Sequence, residues 1–129
     1  MKRKAEKNDG PSDARKLLQL LGICKKAGKL AEGFDPVAEA ANGGKASLIL
    51  TAMDLSPKSE KEIVRIAESN RVERLKTAVT MDEIWSMLSR RSGILAVLDD
   101  GLAETVKGAA EALQPPPENP AEAPLYEEE

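Results

Sequence analysis

Four stretches of the chain carry residue types that chemistry uses. Asn42-Gly43-Gly44-Lys45-Ala46-Ser47 has the glycines and lysine of a phosphate-binding loop. Such a loop follows a strand and opens a helix, so that free backbone N–H groups face phosphate. Here the order is reversed, and the segment reads as a helix stop that enters a strand. Asp99-Asp100 ends an apolar run, where α/β sheets often hold ligands and carboxylates can grip a metal. No third carboxylate stands at a defined spacing, so the pair reads as a helix cap. Cys24 is the single cysteine and the chain has no histidine. Without imidazole or a second thiol to activate it, Cys24 reads as a small buried hydrophobe. The absence of His excludes Ser-His-Asp triads, Cys-His pairs and His-containing zinc sites, and one Cys excludes a disulfide framework. An enzyme is not expected, nor a cofactor or metal.

The fourth group is basic. Lys16, Lys25, Lys26 and Lys29 cluster at a first helix and its exit, and Arg90-Arg91 stands in a turn before an apolar run. Brought together, the two stretches would form a basic edge suited to phosphate. With only Phe34, Trp85 and Tyr126 as aromatic residues, a stacking platform for single strands is not expected.

The elements that must position these residues follow from periodicity. Leu17, Leu20, Leu21 and Cys24 recur at spacings of three and four from Asp13 to Gly28, an amphipathic helix stopped by glycine. Asp35-Pro36 has the form of an N-cap followed by proline, opening a short helix that Asn42-Gly43-Gly44 ends. Residues 46–52 and 93–98 are nearly unbroken apolar runs, suited to strands covered on both faces. Ser56-Pro57 opens a helix with Ile63, Ile66 and Ala67 inward, and residues 73–78 make a weaker strand. Thr80-Met81-Asp82-Glu83 is a capping box for a helix with Ile84, Met87 and Leu88 inward. Leu102, Val106, Ala109 and Leu113 line a last helix. This alternation predicts an α/β fold, a small sheet of three or four strands between helical layers.

The formal net charge of −3 over 129 residues divides unevenly. Residues 1–12 form a basic arm with no apolar run, so neither a secretory signal nor a membrane anchor is expected there. Residues 114–129 carry five Glu, no Lys or Arg, and five of the eight prolines. Such a tail cannot bury enough apolar surface to offset the roughly 1–2 kcal/mol per residue that ordering costs, so both ends are expected to be disordered. Leu125-Tyr126 is a short motif that could dock on a partner. The body, 13–113, balances its charges.

Several motifs together resemble one family. Lys16-Leu17-Leu18, Gly22-Ile23-Cys24-Lys25-Lys26-Ala27-Gly28-Lys29-Leu30, Gly33, Val37, Gly44-Lys45-Ala46, Ala52-Met53-Asp54-Leu55-Ser56, Glu83-Ile84 and Ile94 to Ala103 are ordered as in the L-seven-Ae ribosomal protein family. The likeness is to its small bacterial YlxQ-type branch and covers residues 15–110. It implies a three-layer α/β/α sandwich and kinship with proteins that bind RNA kink-turns. Those proteins carry Gly-x-Asn-Glu-x-x-Lys at the start of the second helix, where this chain has Gly33-Phe34-Asp35-Pro36-Val37-Ala38-Glu39. Gly33 is kept, whereas Asp35, Pro36 and Glu39 stand for Asn, Glu and Lys. Proline brings no side-chain acceptor and Glu39 brings negative charge toward phosphate, so kink-turn readout is expected to be weakened or lost.

On the resemblance, the RNA-binding candidates are Lys25, Lys26, Lys29, Gly33, Asp35, Arg90 and Arg91, with the lysines and the Ser89 to Ile94 loop on the same general side. Two functions fit. One is a cytoplasmic, ribosome-associated RNA-binding protein without catalytic activity. The other is a protein-interaction module that kept the fold and lost RNA binding, meeting its partner through the acidic tail and the Asp35 to Glu39 face.

Overall fold

The computed structural model describes residues 10–113. The acidic tail and all but the last three residues of the basic arm lie outside them. Helix α1 (Gly10–Lys26) begins three residues before the expected Asp13. Pro11 is at home in a first turn, where no intrahelical carbonyl awaits its missing N–H and its fixed φ is already helical. Leu17, Leu18, Leu21 and Cys24 are buried along one side. At its end Gly28 takes φ 72°, with Gly28 N–H donating to Lys25 O and Lys29 N–H to Cys24 O. That is a glycine-closed helix C-terminus.

Strand β1 (Leu30–Glu32) follows at once. Its three residues are too few for any periodicity to announce it. Helix α2 (Phe34–Asn42), strand β2 (Leu48–Thr51), helix α3 (Pro57–Ser69), strand β3 (Arg74–Lys76), helix α4 (Met81–Leu88), strand β4 (Ile94–Val97) and helix α5 (Asp100–Ala112) complete the order. The strands form one mixed sheet in the order β1-β4-β2-β3, with β4 antiparallel to both neighbours and β2 parallel to β3.

The two central strands are buried on both faces, as their unbroken apolar runs require. Leu48 and Leu50 of β2, with Leu95 and Val97 of β4, face a core closed by α1, α4 and α5. The alternate residues Ile49, Ile94 and Ala96 face a second core closed by α2 and α3 through Val37, Ala41, Ile63 and Ala67. The architecture is the expected three-layer sandwich. Each buried Leu, Ile or Val contributes on the order of 1.5–3 kcal/mol through removal from water.

Caps fix where the helices start. Ser56 Oγ accepts from Ser59 N–H, and Thr80 and Glu83 form the reciprocal capping box of α4. Two expectations need correction. Asp35 does not cap α2; the N-cap is Gly33, which has no side chain to offer, and its carbonyl takes the first helical N–H from Val37 at 3.1 Å. Pro36 therefore falls in the first turn at a position where no donor is needed. Met87 does not point inward but is 39% exposed. It lies about 100° of helix rotation from Leu88, off the Ile84 and Leu88 stripe that faces the core.

Candidate nucleic-acid interface

Two of the candidate residues, Gly33 and Arg90, meet at one corner of the sandwich. Gly33 ends β1, donates its N–H to Ile94 O at 2.9 Å and holds φ 102°, ψ 161°. From the other side, α4 stops at Ser89, whose left-handed backbone (φ 60°) turns the chain and sends Arg90 back toward β1. A methyl carbon placed on Gly33 would lie 3.0 Å from Arg90 Nη2. The absence of a side chain at Gly33 is thus what admits the guanidinium. Among the described residues no carboxylate pairs with Arg90.

The guanidinium stands beside the N-terminus of α2, which has no side-chain cap, and the helix dipole adds partial positive charge there. Uncapped N–H groups beside a planar, forked cation form an arrangement that accepts a phosphate oxygen pair. Asp35 and Glu39 are exposed on the first two turns of the same helix and oppose it with negative charge.

The other candidates have different surroundings. Lys25 Nζ donates to Leu88 O at the end of α4 and lies 3.4 Å from Glu32 Oε2, with its side chain 42% exposed and that of Glu32 11%. It ties α1, α4 and β1 together, and a cation at two helix C-termini is well placed against their dipoles. Glu32 Oε1 is buried without a hydrogen-bond partner, so Lys25 is the only described cation offsetting that carboxylate. Lys26 is exposed and has no ion pair among the described residues. Arg91 Nε holds Asp82 Oδ1 at 2.9 Å, with both side chains exposed, a pair of little net value that phosphate can displace.

Lys29 is not part of this corner. Leu98 N–H bonds Lys29 O at one end of the β1–β4 pair, whereas Gly33 N–H bonds Ile94 O at the other. Lys29 instead shares a shallow polar pocket with Lys45, Ser47, Asp99 and Asp100. The expectation that Lys29 lies on the side of the Ser89 to Ile94 loop fails because the short β1, unseen in the sequence, carries the chain away between Lys29 and Gly33.

The three weaker chemical signals take structural roles. Asp99 Oδ2 caps α5 by accepting from Leu102 N–H at 2.9 Å, and Asp100 Oδ1 accepts from Ser47 Oγ at 2.6 Å. Gly43 and Gly44 end α2, with Lys45 N–H donating to Ala40 O. Cys24 is fully buried, and burial foremost, then the negative charge of Asp99, raises its thiol above the ordinary value.

No family model matches the sequence, and neither does any curated protein. Solved structures do match in backbone. A protein of unknown function from Bacillus halodurans superposes with a TM-score of 0.69 at 18% identity, covering 74% of this chain and 97% of that one. A 15.5 kD RNA-binding protein from Giardia lamblia gives 0.63 at 16% identity, covering 79% and 88%. The chain shares its fold with both proteins. At such identities the likeness is one of backbone, and it comes from more than two thirds of each chain.

Proposed function

We propose that this chain is a non-catalytic RNA-binding protein of the L-seven-Ae kind, in its YlxQ-type branch, which holds structured RNA by its phosphates and not by kink-turn base readout. The observation that carries the reading is Arg90, without a carboxylate partner among the described residues, fitted against the bare backbone of Gly33 at the uncapped start of α2. The shared fold with the Giardia RNA-binding protein supports it. Weakened base readout follows from residue chemistry. Asp35 offers acceptors only where Asn offers a donor as well, Pro36 offers neither, and exposed Glu39 repels phosphate. Each lost base contact costs about 1–3 kcal/mol of discrimination.

Ribosomal RNA in the cytoplasm is the target class this reading favours. The test is a filter-binding titration of the full chain with structured ribosomal RNA across a salt series, beside a kink-turn RNA. Binding that weakens with salt and shows no preference for the kink-turn is the expected result; no binding at low salt refutes it. The rival, a protein-binding module, draws on the exposed Asp35 and Glu39 on the first two turns of α2, and that second outcome would favour it. No helix among the described residues is long and apolar enough to cross a membrane.

A further inference from the structure

Between α1 and α4 runs an open groove of about 810 Å³ whose apolar part the RNA reading does not use. Ile23, 52% exposed, and Met87 line it above a floor that includes Leu88, and Lys25, Lys26 and Ser89 stand at its end. Ile23 and Met87 are two of only three exposed large hydrophobic side chains among the described residues, and both lie on this one groove. An apolar floor with a cationic end suits an apolar pair followed by carboxylates.

We infer that the groove is the seat of the chain's own C-terminal segment, with Leu125-Tyr126 on Ile23 and Met87 and Glu127-Glu128-Glu129 toward Lys26. These two are the only large apolar side chains in residues 114–129, and three glutamates follow them directly. Reach permits it. Helix α5 ends beside the first turns of α1, since Lys16 shares a pocket wall with Ala109 and Ala112. From Lys16 to Ile23 is about 10 Å along the helix. The twelve residues from Leu113 to Leu125 span roughly 20 Å as a coil and nearly 40 Å extended, enough to round α1. The other unassigned segment, residues 1–9, is a poor occupant: it is basic, and its one large apolar side chain is Met1.

Tethering makes a weak contact sufficient. A short linker sets an effective concentration on the order of 1 mM, so a contact with a Kd of about 0.1 mM is roughly nine-tenths occupied in the intact chain. The test compares amide spectra of the isotope-labelled full chain with those of its Leu125→Ala/Tyr126→Ala variant. The expected result is a shift confined to the Gly22 to Lys26 and Met87 to Ser89 amides and unchanged on dilution. In the reverse experiment, Met87→Lys, at an exposed position, moves the Tyr126 ring signals to the values they show in denaturant. Identical groove signals in the parent and the tail variant overturn the proposal. Groove shifts that fade on dilution also overturn it, and assign the groove to a second copy of the chain.

Discussion

Replacing Gly33 by alanine tests the corner at which the fold and the RNA reading meet. The residue holds φ 102° with ψ 161°, a region that side-chain-bearing residues almost never occupy. Forcing alanine into it costs roughly 1–3 kcal/mol. The added carbon also falls 3.0 Å from Arg90 Nη2. That atom is the far end of a flexible side chain and can swing away, so the steric part is small in stability but displaces the guanidinium. Gly33→Ala should therefore lower stability by about 2 kcal/mol in urea denaturation followed by far-ultraviolet circular dichroism, and it should weaken RNA binding as much as Arg90→Gln does. In an Arg90→Ala background the stability loss should persist within about 0.5 kcal/mol, because backbone strain and not the clash dominates. A Gly33→Ala protein as stable as the parent would refute the backbone argument. A loss that vanishes in the Arg90→Ala background would assign the cost to packing instead.

Three further outcomes follow from the same geometry. Arg90→Gln should reduce the slope of log affinity against log salt by about 1, whereas Lys25→Gln should leave it unchanged and lower stability by roughly 1–3 kcal/mol, since Glu32 loses its partner; filter binding and urea melts read the two. Thr80→Ala removes one side of the α4 capping box and should cost about 1 kcal/mol in the same melts. Cys24, with its thiol raised by burial, should react with a thiol reagent only as fast as the chain opens at neutral pH. Above its ordinary value of 9.0 the unfolded chain releases the proton first, so stability falls as pH rises through that range, and Cys24→Ala should flatten the fall.

The sandwich was legible because its signals are local and repeated. The apolar runs around Leu48 to Leu50 and Ile94 to Val97 announce strands buried on both faces, and Ser56-Pro57, Thr80 to Glu83 and Asp99 mark three helix starts by side-chain chemistry. Strand β1 escaped because three residues exist as a strand only through pairing with β4, a long-range fact. The start of α2 misled for a related reason. Asp35-Pro36 is good local capping chemistry, but Gly33 is held by Ile94 O and its carbonyl takes Val37 first. At the candidate site, the nearness of Gly33 to Arg90 depends on the left-handed turn at Ser89, a residue type that gives no warning of positive φ. Lys25 looked like a free cation because nothing in the sequence shows Leu88 O or Glu32 beside it.

Pairing within the fold decides what the basic residues can do for RNA. Of the five cations that a continuous strip would need, Lys25 is held by Leu88 O and Glu32, Arg91 by Asp82, and Lys29 lies at the far end of β1. Lys26 and Arg90 remain without carboxylate partners among the described residues. Two phosphate contacts, or three where phosphate displaces Asp82 from Arg91, release about two to three counterions, a log–log salt slope near −2 to −3 and far from that of a protein gripping six to ten phosphates. Charge alone would then give weak binding, and any strong affinity must come from an RNA shaped to the Gly33 and Arg90 corner. A steep salt slope measured on this chain would thus count against the corner as the main contact, even if RNA binds.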